Sequence, residues 1–533
     1  MKFPLFLVFS AFIAAATAHT TQPYTFQQIL PSKTLEWHPC NPGFLCAKLS
    51  VPLSYQNYSL GLASVPLLKY PATTNSSSGP YQGMLLLNPG GPGASGVEEV
   101  FTSGPLIQSI IGSNWDVVGF DPRGMWLSEP LANCSDHRDV NPVTGLKGRG
   151  VPRVSDEFYE EYIEFGREVG KECEERSGGV RDAGPHMSTA TVARDLISLI
   201  DAFALTPDGK RSVKPSNLLN YYGISYGTFL GQTFASMFPS RVGNLILDGV
   251  VDPAGYLTNF TSESVNHLDE LLAAFFIYCH EAGFSKCAYK TGSTPKDIFN
   301  RFNASFVQLD PRKAESEGWS NATELQDALL TLKVSLLAPA HSPFGYFPII
   351  PQVLLDLESA LQNQTLSSWT LATGAIFGSP GPANYKSPDW RLGTLCSDQN
   401  NRWYNKTLDD LRPQLKALEK QSIIGEIWSM AVLGCLGWSV EAEETFEGPF
   451  GGVTQTPILF VGNTYDGATP IEKLHTATAS QNLCGFSKIA AYLQTNQLPG
   501  NDSLCQLEKG PFNILLNGTL EDNINRAGLA SLF

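Results

Sequence analysis

Residues 216–237 read SNLLNYYGISYGTFLGQTFASM, and they leave the backbone little choice. The apolar and aromatic run LLNYY has the texture of a buried strand, and TFLGQTFASMF that of a helix closed by Phe238-Pro239. Only Gly223-Ile224-Ser225-Tyr226-Gly227 separates the two. A chain that passes from strand to helix in so few residues must turn sharply, and the two glycines leave room for that turn. Such a turn lifts the Ser225 hydroxyl clear of the backbone and points the Tyr226 N–H at the space beside it. The next apolar run, NLILDGVVDP, completes a unit of strand, turn, helix and strand, which predicts parallel pairing with a crossover helix.

Earlier segments repeat this alternation. GMLLLNPGGPG (83–93) is a short strand running into a glycine-rich turn, and NWDVVGFDPRG (114–124) is a second strand stopped by Asp121-Pro122. TATVARDLISLIDAFAL places Val192, Leu196, Leu199, Ile200 and Phe203 on one helical face. Together these predict an α/β fold whose parallel sheet is covered on both faces. From about Pro253 to Trp438 the texture becomes helical, as in VNHLDELLAAFFIYCHEAG, ATELQDALLTLKVSLLA and PQVLLDLESALQ, with Pro- and Gly-rich loops between. The strand signal returns at TPILFVG, residues 456–462.

At 533 residues the chain is long enough for two or three domains, and 42% apolar with 16% charged residues is a globular balance. A net charge of −15 argues against nucleic acid and anionic membrane surfaces as partners. The opening MKFPLFLVFSAFIAAATA combines Lys2, an apolar stretch and a small-residue Ala16-Thr17-Ala18 site, as a secretory signal does; it is too short to span a bilayer. Ten cysteines and ten N-x-[S/T] sequons, Asn57, Asn259 and Asn405 among them, agree with a secreted, extracellular glycoprotein. Pairing each cysteine with its sequence neighbour gives Cys40–Cys46, Cys134–Cys173, Cys279–Cys287, Cys396–Cys435 and Cys484–Cys505. The sequence contains no C-x-x-C unit and no metal-spaced Cys/His cluster.

The chemistry suggested by Ser225 needs further groups. NPGGPGASG (88–96) can offer an N–H, expected from Gly91, to an oxyanion shared with the Tyr226 N–H. Gly91, Gly93 and Gly96 also spell a dinucleotide-binding pattern, but Pro92 removes an N–H from the would-be phosphate loop. Asp466 closes the run TPILFVGNTYD, where an acid that orients a catalytic histidine would stand; its other reading is a turn former or helix cap. Of the eight histidines only His475 follows Asp466. It lies about five positions into a helix begun by Pro470, where a base does not readily reach both partners, so His475 reads as a surface or packing residue.

With LLLNPGGPGASG, DVVGFDPRG, YYGISYGTFLGQTFASMFPSRVGNLILDGVVDP, CHEAGFSKCA, LCSD, CLGW, TPILFVGNTYDGATP and AAYLQTNQLPGNDSLCQLEKGPF in order along residues 80–512, the chain resembles the secreted tripeptidyl-aminopeptidase-like branch of the α/β-hydrolases, relatives of proline iminopeptidase. With the signal peptide read over 1–18, the resemblance implies an α/β-hydrolase core over 19–254 and 441–533 and a mainly helical lid over 255–440. It implies Ser225 as nucleophile, Asp466 as triad acid, a short peptide substrate whose free amine meets acidic groups near the lid, and no metal or organic cofactor. One departure stands out. The family carries a further strand and a Gly-His loop after the acid, yet here GATPIEKLHTATA runs almost at once into SQNLCGFSKIAAYLQTNQLP. The last core strand and its histidine are therefore expected to be missing; setting PGNDS against the histidine loop would only place Asn501, which is no general base, at that position. A serine aminopeptidase with impaired chemistry is the leading expectation. A hydrolase of a small-molecule ester, lactone or amide, a non-catalytic relic of the fold, and a sequence lacking one exon are the alternatives.

Overall fold

The computed structural model describes residues 24–74, 79–134, 156–258, 262–310, 322–377, 389–462, 482–500 and 503–530. The signal-like segment 1–18 lies outside them. Among the described residues eight strands form one sheet: β1 (His38–Pro39), β2 (Leu45–Pro52), β3 (Leu62–Tyr70), β4 (Gly83–Asn88), β5 (Trp115–Phe120), β6 (Leu219–Ile224), β7 (Val242–Asp248) and β8 (Leu459–Val461). Their spatial order is β1-β2-β3-β5-β4-β6-β7-β8. The first three strands and the β3–β5 pair are antiparallel, whereas β5, β4, β6, β7 and β8 run parallel. β4 pairs with β5 on one side and β6 on the other, so the chain reverses its direction of travel across the sheet there. The crevice beyond the carboxyl ends of β4 and β6 is where a sheet of this kind takes a ligand.

The parallel strands are continuously apolar because both of their faces are covered. Along β4, Leu86 points to one core while Leu85 and Leu87 point to the other. The first core receives α3 (Thr189–Leu205), whose Val192, Leu196, Leu199, Ile200 and Phe203 are all buried, and Leu230 and Phe234 of α5 (Tyr226–Met237). The second receives Val100, Ile107 and Ile111 of α1 (Gly96–Ile111), with Ile489, Tyr492 and Leu493 of the helix Leu483–Thr495. Fully burying each of these large side chains stabilises the fold by about 1.5–3 kcal/mol. The ends of α1 and α3 are set by Ser95 and Ser188, which accept the N–H groups of Glu98 and Thr191. Among the described residues, two further helices, α2 (Asp156–Ser177) and the short α4 (Pro207–Arg211), lie between β5 and β6.

Between β7 and β8 the described residues contain helices and no strand, among them Leu268–Ala282, Ala322–His341, Ile350–Asn363, Asp389–Asp398 and Leu408–Gln421. These helices bury a core of their own around Phe275, Phe276, Leu332 and Leu357. A separate cluster joins them to α2 and α5 through Phe229, Tyr256, Leu395 and Trp438. The strand expected over TPILFVG is confined to Leu459–Val461, and β7 starts at Val242 rather than Asn244. β8 stands at the sheet edge with Phe460 half exposed; among the described residues no strand pairs with its outer side. All five disulfides join the sequence-neighbour pairs, and none of the ten cysteines is free. Among the described residues no helix is long and apolar enough to cross a membrane.

Three buried carboxyls tie these parts together. Asp121 accepts from Ser95 Oγ at 2.5 Å, Asp269 from Ser422 Oγ at 2.7 Å, and Asp398 from the N–H and Oγ1 of Thr189, both at 2.6 Å. Burial pushes Asp121 and Asp269 up to about 6 and Asp398 up to about 7, against the hydrogen bonds that pull the other way. Each folded-state value exceeds the unfolded one, so the folded protein binds these protons more tightly. Their contribution to stability is complete below about pH 4 and is lost as the pH rises through 6 to 7. Thermal denaturation should give a higher Tm at pH 5 than at pH 7.5, and Asp398→Asn should flatten that difference; a Tm that rises steadily over this range would contradict it.

Candidate active site

β6 delivers Ser225 to the carboxyl edge of the sheet, and α5 begins at the very next residue. Ser225 adopts φ 54° and ψ −125°, a left-handed conformation that L-residues seldom hold. Its N–H donates to Asp248 O at the end of β7 at 3.0 Å. Its carbonyl accepts from the N–H of Thr228 at 2.8 Å and from Thr228 Oγ1 at 2.6 Å. The turn is tight because it is pressed against β4. A methyl group on Gly227 would lie 2.6 Å from Asn88 O, and the Tyr221 hydroxyl donates to Gly227 O at 2.7 Å. Tyr226 opens the helix, so its N–H has no partner one turn earlier and is one of the donors a helix start leaves free.

The loop after β4 closes on the same point. Gly90 has φ +96°, and a methyl group there would meet Ile224 O at 2.4 Å, Tyr226 N at 2.9 Å and Ser225 Cβ at 3.0 Å. The Gly90 N–H is already spent, donating to Asn88 Oδ1 at 3.0 Å. Gly91 follows it, also at positive φ, and Ala94 N–H returns to Gly90 O at 3.2 Å to close the loop. Downstream, the Trp126 indole N–H donates to Gly93 O at 2.7 Å. Trp390, at the start of the helix Asp389–Asp398, also lies against Gly93.

The side chain of Tyr226 turns inward, where its hydroxyl hydrogen-bonds Thr189 Oγ1. Asp398 completes this buried group and also accepts from the Tyr256 hydroxyl at 3.0 Å. The residue after the serine is thus moored to the helical segment. Two other acids at strand ends are occupied: Asp248 accepts from the Tyr222 hydroxyl at 2.7 Å, and Asp121 holds Ser95, Val97 N–H and Leu127 N–H. His186 is buried, with Nδ1 3.0 Å from Glu443 Oε2 and Nε2 3.0 Å from Val180 O, partners that are not among the residues around Ser225.

The structure brings Ser225, Tyr226 and the Gly90–Gly91 turn together, at the end of two paired strands. Asp466 and His475 lie in 463–481, outside the described residues, as does Asn501. Sequence reading did not single out Trp126, Trp390 or Asp398. The motifs DPRG and LCSD ran beside or through them, but only the fold joins Asp398 to Thr189, 209 residues away. Among the described residues no group of three or more His, Cys, Asp or Glu side chains is arranged to hold a metal.

Residues 83–278 match the alpha/beta hydrolase fold family. Over 233 residues, 41% of this chain, it is 34% identical to the serine protease Hip1 of Mycobacterium tuberculosis, covering 40% of that protein. It is 37% identical over 177 residues, 32% of this chain, to the tripeptidyl aminopeptidase of Streptomyces lividans, covering 29% of it. Carboxylesterase B of Mycobacterium tuberculosis is 31% identical over 286 residues, 52% of this chain and 49% of that protein. The matches therefore span less than half the length of each of these relatives. The chain has the α/β-hydrolase fold, and its kinship with serine peptidases of that fold holds at modest identity.

The contact between Gly90 and the serine turn can be tested directly. Gly90→Ala must displace either the loop or the turn, and should cost about 1–3 kcal/mol of stability with a roughly 100-fold loss of hydrolytic rate. Gly283→Ala, also at positive φ but with open space around it, is the control and should keep its activity. Denaturant unfolding and initial rates read both effects; wild-type rates in Gly90→Ala would show that the loop is not held against Ser225.

Proposed function

We propose that this chain, a relative of serine peptidases with the α/β-hydrolase fold, is a secreted serine hydrolase that releases short peptides or residues from the amino end of peptide substrates. The observation that carries this reading is Ser225, held at φ 54° between a strand and a helix with the glycine loop of β4 against it. Ser225 Oγ attacks the scissile carbonyl, and the N–H groups of Tyr226 and Gly91 hold the oxyanion. The amine leaves with a proton, an acyl-enzyme remains, and water releases the acid. Asp466 is the proposed triad acid, and His475 is given no part. Without a triad histidine, turnover falls to what the oxyanion hole and substrate binding supply. Secretion is supported by the five disulfides, which form and persist in oxidising compartments.

A second reading, hydrolysis of a small-molecule ester, is favoured by the match to carboxylesterase B, because one fold and one nucleophile serve many substrates. The two are separated by assaying purified protein on free and N-acetylated tripeptide anilides and on short acyl esters. Turnover of the free peptide that acetylation blocks supports the aminopeptidase. Turnover of esters alone supports the second reading. Ser225→Ala should abolish either activity, and His475→Ala should leave it unchanged. Activity that survives Ser225→Ala contradicts both readings, and loss of activity in His475→Ala would make that histidine the base.

A further inference from the structure

Trp126 stands out as a bulky residue in the left-handed region, with φ 50°. A conformation of this kind persists where its neighbours over-determine it, and here they do. On one side Met125 N–H donates to Ser128 Oγ at 2.8 Å, while Ser128 Oγ donates back to Met125 O at 2.6 Å. On the other, Leu127 N–H donates to Asp121 Oδ2 at 3.3 Å. Asp121 also takes Ser95 Oγ at 2.5 Å, so the same carboxyl fixes the far end of the glycine loop. Held in this way, Trp126 directs its indole N–H at Gly93 O, 2.7 Å away. Its ring meets that of Trp390, with centroids 5.1 Å apart. Trp390 is itself buried with Met125 and Met187, and its indole would lie 3.0 Å from a methyl group on Gly93.

We propose that Trp126 is a positioning residue: clamped between the Gly93 carbonyl and Trp390, it holds the loop 89–95 against Ser225 and makes the oxyanion site depend on the helical segment that carries Trp390. Its catalytic consequence rests on the serine-hydrolase reading, whereas the clamp itself does not. A backbone carbonyl hydrogen-bonded at one point of a short glycine loop fixes the direction of the neighbouring peptide planes. The Gly91 N–H lies two residues upstream of that point, and Gly90 touches the serine turn. The strained backbone at Trp126 is what aims the indole there, and a residue in a relaxed conformation at this position would aim elsewhere.

The test compares the full chain with Trp126→Phe, which keeps a ring but has no N–H, Trp126→Gly, which relaxes the backbone, and Trp390→Ala. Hydrogen exchange is read at Gly90 and Ala94, whose N–H groups are bonded within the loop. The second readout is the rate at which a fluorophosphonate probe labels Ser225, and the third is the split between kcat and KM. Exchange at Gly90 and Ala94 should quicken in all three variants, with labelling and kcat lowered about 10- to 100-fold and KM close to wild type. Tm should stay close to wild type in Trp126→Phe and fall in Trp390→Ala, which empties a buried site. Unchanged exchange in these amides would overturn the proposal, as would a loss in Trp126→Phe that appears only together with a lower Tm and faster exchange throughout the protein. Should wild-type protein show neither labelling nor turnover, the hydrolase reading fails, and the exchange data alone decide for or against the clamp.

Discussion

Ser225 is held in a backbone conformation that costs on the order of 1–3 kcal/mol, and the arrangement around it follows from keeping it there. Its N–H is tied to the end of β7 and its carbonyl to Thr228 in the first turn of α5. Thr228 Oγ1 in turn accepts from Val251 N–H at 2.9 Å, so the chain leaving β7 braces the turn from below. β4 presses on it from the other side, where Asn88 leaves no room for a side chain at position 227. A parallel sheet buried on both faces is what brings these three strand ends to one edge.

The helices between β7 and β8 are joined to this edge at two places. At one, Asp398 and Thr189 hold the hydroxyl of Tyr226, the residue whose N–H faces the proposed oxyanion. At the other, Trp390 meets Trp126 and Gly93 beside the glycine loop. Both contacts come from the single helix Asp389–Asp398. The donors on the two sides of the serine are therefore positioned partly by residues that follow it by more than 160 positions in the chain. Burial of Asp398 keeps a carboxyl with a raised pKa, about 7, at the centre of one of these joints, which makes that joint sensitive to pH.

Much of the frame around Ser225 was legible because its signals are local. Apolar runs ending in Gly or Asp-Pro mark β4, β5 and β6, the period of Val192 to Phe203 marks α3, and two glycines mark the serine turn. β2 and β3 were not read, since Pro52 ends one and Pro66 lies inside the other, and both are held by antiparallel pairing rather than by propensity. α2 was missed because its apolar face is diluted by the acidic run DEFYEEYIEFGREVGKECEE. Trp126 and Asp398 were beyond reach for a different reason: no local pattern shows that a tryptophan sits at positive φ, or that an aspartate is buried against a threonine far along the chain. The disulfides were legible because every pair is adjacent in the cysteine order.

The central claim is that Ser225 forms a covalent bond with the substrate's acyl group. Rapid acid quenching during turnover of an activated ester, followed by peptide mass spectrometry, measures this bond directly. An acyl adduct confined to the peptide containing Ser225 is the result expected. Turnover with no adduct on that peptide, or with the adduct on another residue, would contradict it.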